Sequence, residues 1–348
     1  MPKHPVPIVS IGGGGIVRNA HYPAYRIANF EVAGVYDVRP ETAEALAKEF
    51  QIPTVYQTLE EAVAKAPEEC VFDLATPAIR IGPVLEALPD GAAVLIQKPF
   101  GENLEQAEKL RDICRRKHLV AAVNFQLRYA PYVLAAKDLI QADELGDIHD
   151  IDVKVNVLTP WALWDFLEKA PRMEIVYHSI HYVDLIRDLL GEPEGVYAKT
   201  IKSLASPKLH SSRSALIFDY GDWKRAAIHT NHAHDFGPDE QESYVKIEGT
   251  KGAVKFQMGL NMDYPKGRPD FLRWARLGAK SWTDIPLSGS WFPHAFIGTM
   301  ASVMRAREGT QPEMPTGFED AYKTMALVED AYRSSESRWP PARHPSHP

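Results

Sequence analysis

Cysteine is nearly absent: Cys70 and Cys114 are the only two in 348 residues. Two thiols build neither a disulfide framework nor a four-cysteine zinc site, and they suit a reducing compartment. Positive charge is not in surplus either. The formal net charge is −7, and the basic stripe expected of a nucleic-acid binder is missing, so no nucleic-acid partner is expected. No uninterrupted apolar run approaches the roughly 18 residues of a membrane span. The opening MPKHPVPIVSIGGGG has no apolar core followed by a small-residue cleavage site. The expectation is a cytoplasmic protein with no membrane partner. Internal repeats are lacking too, which excludes a solenoid. What remains is an ordered chain, 45% hydrophobic and 24% charged, long enough for two domains.

The first third alternates short apolar strands with helical segments. Pro7–Ile11, Glu31–Asp37, Cys70–Thr76, Ala92–Gln97 and Leu119–Phe125 read as buried strands, with an amphipathic helix at Glu41–Phe50. Such strands indicate a parallel sheet covered on both faces. After Asn124 the pattern changes. Tyr132–Gly146 reads as a helix ending at glycine, and Asp147–Leu158 alternates as a strand with one exposed face. Turns at Gly221-Asp222 and Gly249–Gly252 suggest hairpins. The predicted fold is an α/β Rossmann domain with a parallel, doubly wound sheet (1–124). An α+β domain with a large, mostly antiparallel open sheet follows (125–335), then a proline-rich tail (336–348).

Gly12, Gly13, Gly14 and Gly15 lie between the first strand and a helix that begins near Ile16. Glycines there permit a sharp turn and close backbone approach to a pyrophosphate, which the helix N-terminus then attracts. Asp37 ends the next strand, where a carboxylate can accept from both ribose hydroxyls and repel a 2′-phosphate. NAD is therefore favoured over NADP, although Arg39 keeps NADP open. Val17 stands where a small residue usually lets helix and strand pack closely, so a slightly shifted helix is expected.

Two further features carry chemistry. LIQKPF (Leu95–Phe100) closes a strand with Lys98, at the sheet edge where ligands bind in open α/β folds. An ammonium there can hold a substrate hydroxyl, and the plain alternative is a surface lysine before a loop. VYHSIHYVDLI (Val176–Ile186) spaces His178, His181 and Asp184 three residues apart. These drift around a helix, and a metal site would need ligands from elsewhere. HTNHAHD (His229–Asp235) offers His232 and His234 on one face of a strand, but no complete ligand set is visible and no metal is expected.

In these motifs, and in their order, the chain resembles the Gfo/Idh/MocA oxidoreductases, a family named for glucose–fructose oxidoreductase and inositol dehydrogenase. The resemblance runs through GGGGI…HYPA (Gly12–Ala24), YDVRPE (Tyr36–Glu41), ATP (Ala75–Pro77) and QKPFGENLEQA (Gln97–Ala107). It continues through NFQLRYAP (Asn124–Pro131), HYVDLIRDLLG (His181–Gly191), EGTKGAV (Glu248–Val254), and the closing HAFIGTMASVMRA and EDAYRSS segments. It implies that Thr76 and Pro77 line the cofactor and that Gln97, Lys98 and Pro99 match a Glu-Lys-Pro motif. Lys98 then touches nicotinamide ribose and substrate. Gln97 stands in place of the glutamate. His181 and Asp184 match the last two members of an Asp-x-Gly-x-His-x-x-Asp motif, whose first two positions hold Tyr177 and Ser179 here.

The resemblance makes His181 the acid–base residue and Lys98 the stabiliser of the substrate oxygen. Asp184 would orient or polarise His181, or only pack at a helix end. Tyr177 cannot act as a carboxylate base but can donate to a substrate oxygen. Asn124, Arg128 and Trp161 join Lys98, Tyr177 and His181 as candidate substrate contacts. Trp164 and Arg172 are weaker candidates, and any of these residues could instead be core. The expected reaction is NAD-dependent oxidation of a hydroxyl on a sugar or polyol: an aldose such as a pentose, an inositol-like polyol, or a sugar acid. An NAD-dependent redox-assisted glycosidase and a non-enzymatic dinucleotide-binding sensor are the alternatives. An uncovered second sheet would expose apolar surface, so a homodimer or tetramer through that sheet is expected.

Overall fold

The computed structural model describes residues 1–264, 266–311 and 313–337; the proline-rich end of the chain lies outside the described residues. Five strands form the first sheet: β1 (Ile8–Ile11), β2 (Val32–Tyr36), β3 (Val71–Leu74), β4 (Ala93–Ile96) and β5 (Val120–Val123). All pair in parallel, in the order β2-β1-β3-β4-β5. Every residue of β1, β3 and β4 is buried, which explains why they are apolar apart from Ser10 and Asp73. The crossovers carry α1 (Tyr22–Ala28), α2 (Pro40–Phe50), α3 (Leu59–Ala64), α4 (Ile81–Ala87) and α5 (Leu104–Arg116). Side-chain caps start two of them: Thr58 Oγ1 accepts from Glu61 N–H at 3.0 Å, and Asn103 Oδ1 from Gln106 N–H at 2.9 Å.

Helix α6 (Pro131–Gln141) then leads into the second sheet. The helix stops at Gln141 rather than reaching Gly146. Asp143 and Gly146 adopt φ of +58° and +67°, and a Cβ on Gly146 would lie 2.4 Å from Thr250 Oγ1. That glycine therefore serves a close backbone approach, not a helix end. The second sheet comprises β6 (Ile148–Asn156), β7 (Gly195–Ile201), β8 (Arg213–Asp219), β9 (Arg225–Asn231), β10 (Glu242–Gly249), β11 (Gly252–Gln257), β12 (Phe271–Arg276) and β13 (Thr283–Ile285). Its order is β13-β12-β11-β10-β6-β9-β8-β7, antiparallel throughout except for the parallel pair β6–β9. Both expected hairpins form, joining β8 to β9 and β10 to β11.

One face of this sheet is core: Ile151, Val153, Leu216, Phe218, Val245 and Phe256 are buried. The other face is mixed rather than apolar. Tyr197, Ile201 and Ile217 are exposed at the β7–β8 edge, while Arg225 pairs with Asp150 at 2.7 Å nearer the centre. Among the described residues, no helix is long and apolar enough to cross a membrane.

Three more helices complete the chain: α7 (Ile180–Leu190), α8 (Ala295–Arg307) and α9 (Phe318–Glu336). A division at residue 124 separates the sheets but not the packing. Phe296, Met300, Val303 and Met304 of α8 share a core with Ile8, Val17 and Ala93 of the Rossmann half, and Gly317 bridges to Ala122 of β5. A second core runs continuously from Val9 and Val94 to Val153 and Phe256.

The tightest tie is ionic. Arg128 follows β5 in a short 3₁₀ turn, Gln126–Tyr129. Its Nε and one terminal nitrogen each donate to Asp184 of α7 at 2.6 Å, and that nitrogen also donates to Asp320 of α9 at 2.6 Å. The other terminal nitrogen donates to Pro315 O at 2.8 Å and Asp188 at 3.2 Å. All five guanidinium N–H groups are thus consumed. Arg128 has no donor left for a substrate, and Asp184, which also accepts from Thr324 Oγ1 at 2.9 Å, has none of its carboxylate turned to His181. Both are corrections to the sequence reading: burial selects a complete ion cluster here, because an incomplete one would be costly. Replacing Arg128 with Leu should strand the buried Asp184 carboxylate and cost about 3–5 kcal/mol, read as a lower urea midpoint. Arg128→Lys, which keeps the charge but loses the fork, should lie between the two.

Candidate active site

The glycine turn is built by backbone conformation. Gly12 has φ +101°, and a Cβ there would lie 2.4 Å from Ala75 O; one on Gly13 would lie 2.7 Å from Leu46 Cδ1, whereas Gly14 faces open space. Asp37 is buried, with Oδ2 accepting from Gly13 N–H at 2.8 Å and Oδ1 from Arg39 N–H at 2.9 Å. The strand-end carboxylate is thereby held against the glycine turn, with lone pairs remaining for ribose hydroxyls. The Arg39 side chain is exposed, its Nε 3.6 Å from Asp37. The helix opens at Gly15 and Ile16 and widens into a π turn at Val17–His21 before α1. Val17 is fully buried there, so the expected shift takes the form of a wider turn. Beyond β3, Thr76 Oγ1 is buried with no partner. Open space at Gly14, an orphaned hydroxyl at Thr76 and a carboxylate at Asp37 fit the pyrophosphate, nicotinamide-side and ribose portions of a dinucleotide.

Lys98 follows β4, and its Nζ donates to the carbonyl of Tyr177 at 2.6 Å. Tyr177 lies in a second π turn, Ile175–Ser179, that runs directly into α7. Such widened turns recur at functional sites. His181 is buried one turn further on, its ring edge-on to Trp291 with centroids 5.5 Å apart. Burial lowers the Lys98 ammonium to about 8. Burial, and then the Lys98 charge, hold the His181 imidazole well below its ordinary 6.5. The pair is thus a cation beside a neutral imidazole whose Nδ1 has no partner. Burial and the charge of Glu102 push the Tyr177 phenol up to about 12, which keeps it a donor.

A buried relay stands behind this pair. Asp73 accepts from His21 Nδ1 at 2.8 Å and from the Tyr25 hydroxyl at 2.9 Å. The other His21 nitrogen faces Asn124 Nδ2 at 3.4 Å, and Asn124 Nδ2 also donates to Gln97 Oε1 at 2.9 Å. Asn124 Oδ1 in turn accepts from Thr299 Oγ1 at 2.8 Å. Asn124 is therefore a fully buried support for Gln97 rather than a substrate contact, a further correction. Gln97 suits this relay because its amide oxygen receives the Asn124 donor without a second buried charge. Sequence reading assigned no role to His21, Asp73, Thr299 or Trp291. His21 stood inside a quoted motif, but Trp291 and Thr299 lie more than 100 residues from their partners in sequence, and no spacing signals them.

The loop before the π turn brings its aromatics together. Trp161 lies edge-on to His232, centroids 5.1 Å apart, and to Trp164 at 6.2 Å. Arg172 is tied to Glu329 at 2.6 Å and stacks on Tyr332. His178 sits against His232 with centroids 4.1 Å apart, and Glu174 completes a group of three whose ligand-type atoms lie within 4.8 Å of one another.

A dinucleotide cradle, a strand-end carboxylate and a half-buried lysine beside a buried histidine define the class: a nicotinamide-dependent oxidoreductase. Comparison with known proteins agrees. The model of the oxidoreductase family with an NAD-binding Rossmann fold matches residues 6–125, and that of the GFO/IDH/MocA C-terminal domain matches 133–255. The chain belongs to the Gfo/Idh/MocA family. It is 26% identical to glucose-6-phosphate 3-dehydrogenase of Bacillus subtilis, covering 95% of this chain and 96% of that one. D-apiose dehydrogenase of Rhizobium rhizogenes is 22% identical, over 93% and 94% of the two chains. The fold is shared with an oxidoreductase from Agrobacterium radiobacter solved with NAD+, L-tartaric acid and magnesium; the TM-score is 0.79 at 20% identity, over 95% and 96% of the two chains.

Asp37→Ser should remove the charged acceptor at the ribose. NAD binding should weaken about tenfold to a hundredfold and NADP binding should tighten, both read by tryptophan fluorescence titration.

Proposed function

We propose that the protein oxidises a hydroxyl of a neutral sugar or polyol with NAD. The observation that carries this reading is the bond from Lys98 Nζ to the carbonyl of Tyr177, which joins the end of β4 to the turn that presents His181. Lys98 then holds the substrate oxygen, and neutral His181 accepts the hydroxyl proton. Bound NAD supplies the hydride acceptor at its nicotinamide. As the C–H bond breaks, charge developing on the oxygen is stabilised by the Lys98 ammonium in surroundings from which water is largely excluded. Burial keeps the His181 imidazole neutral and ready to accept a proton, and Tyr177 contributes a second donor.

A neutral substrate is favoured because the candidate guanidiniums are already engaged. Arg128 is committed to Asp184, Asp188 and Asp320, and Arg172 to Glu329. Indole faces at Trp161 and Trp291 suit the C–H faces of a ring. Relatives named for glucose 6-phosphate, apiose and levoglucosan support the sugar class, and an aldose such as a pentose or an inositol-like polyol fits best.

Absorbance at 340 nm across aldoses and polyols tests the reading. Lys98→Ala and His181→Ala should each lower kcat by about 10²–10⁴-fold. In the wild type, kcat/KM should stay level near neutrality and fall as pH rises through about 8, where Lys98 loses its proton; no limb near 6.5 should arise from His181. Substrate cleavage without net reduction of NAD would move the reading to a redox-assisted glycosidase.

The exposed β7–β8 edge supports a homo-oligomer through the second sheet. Tyr197→Asp with Ile217→Asp should reduce the mass in light scattering to that of a monomer.

A further inference from the structure

Glu174, His178 and His232 form a group that the proposed oxidation does not use. Glu174 and His232 are fully buried, and the His178 side chain is 19% exposed. His232 Nε2 is 3.2 Å from Glu174 Oε1, and His178 Nδ1 is 4.0 Å from the same oxygen. A tetrahedral ion with bonds near 2.1 Å spaces its ligand atoms about 3.4 Å apart, and the two distances bracket that value. Two of the potential ligand atoms, His178 Nδ1 and Glu174 Oε2, are buried with no hydrogen-bond partner. Glu174 Oε1 is the oxygen that both imidazoles approach, and the unpartnered Glu174 Oε2 and His178 Nδ1 beside it are costly to bury unless something completes them.

Supporting bonds are present. Ser179 Oγ donates to Glu174 Oε1 at 2.7 Å, and His232 Nδ1 meets Thr159 Oγ1 at 2.9 Å. When that Nδ1 carries the proton, Nε2 turns its lone pair toward the carboxylate, an arrangement that a cation between them relieves.

We infer that Glu174, His178 and His232 bind a divalent transition-metal ion of the zinc class. Two imidazole nitrogens and one carboxylate favour zinc, cobalt or iron over magnesium or calcium, which prefer all-oxygen sites. Three protein ligands leave at least one position for water or a substrate oxygen. The ligand from beyond the histidine stretch is Glu174, four residues before His178 and unsignalled by any histidine spacing.

The test uses tag-free, chelator-treated full-length protein carrying His344→Ala and His347→Ala, which removes the tail imidazoles. Cobalt(II) chloride is titrated in and visible absorption is recorded. One equivalent per chain should bind with the intense bands of a four- or five-coordinate site, and zinc should displace it. Glu174→Gln and His178→Gln should each weaken binding at least about tenfold. NAD titration of the same samples reports whether each variant is folded, and the two substitutions back each other up. Failure to bind an equivalent of cobalt, or unchanged affinity in a folded variant of either kind, would overturn the inference.

Discussion

The buried pairing of Arg128 with Asp184 is the constraint on which the site depends. Both carboxylate oxygens of Asp184 are held at 2.6 Å by one guanidinium, so α7 cannot rotate about its axis relative to the end of β5. His181, one turn earlier on the same helix, is positioned by that restraint. Asp320 extends the cluster to α9 through both Arg128 and Arg187. A fork-shaped donor is needed because a point charge could not fix orientation and position together.

A second restraint comes from the opposite direction. Lys98 projects from the end of β4 and fastens to the Tyr177 carbonyl at the start of the helical run. The helix bearing His181 is therefore pinned at one end by Lys98, and along its length by the ion cluster. Two widened helical turns occur, at Val17–His21 beyond the glycine turn and at Ile175–Ser179 ahead of His181. Each directs backbone or side-chain groups that a regular α-turn would spend on its own ladder.

Electrostatics then separate the roles of neighbouring groups. Lys98 is half-buried and His181 buried, and desolvation acts on both by disfavouring charge. The intrinsically stronger base keeps its proton near neutrality, while the weaker one remains free to accept one. Behind them, Asp73, His21, Asn124 and Thr299 form a buried chain that ends on the half-buried Gln97, which gives the altered motif position a defined geometry without a second carboxylate.

The sequence by itself determined the two-sheet architecture, the strand-end placement of Asp37 and Lys98 and the glycine turn, which are local properties: apolar periodicity, a φ that only glycine adopts freely, and residues at the ends of strands. The pairing of that lysine with a histidine was what the resemblance to the family implied. Tertiary structure decided which polar residues serve the site and which serve the core. Arg128, Asp184 and Asn124 look like pocket residues in one dimension, yet each is saturated by partners on other elements. His21, Asp73, Glu174 and Trp291 look unremarkable, yet each reaches the site across folded space. The difference is physical: a buried polar side chain takes its role from the groups that complete its hydrogen bonds, and those groups come from segments brought together only when the two sheets share their core.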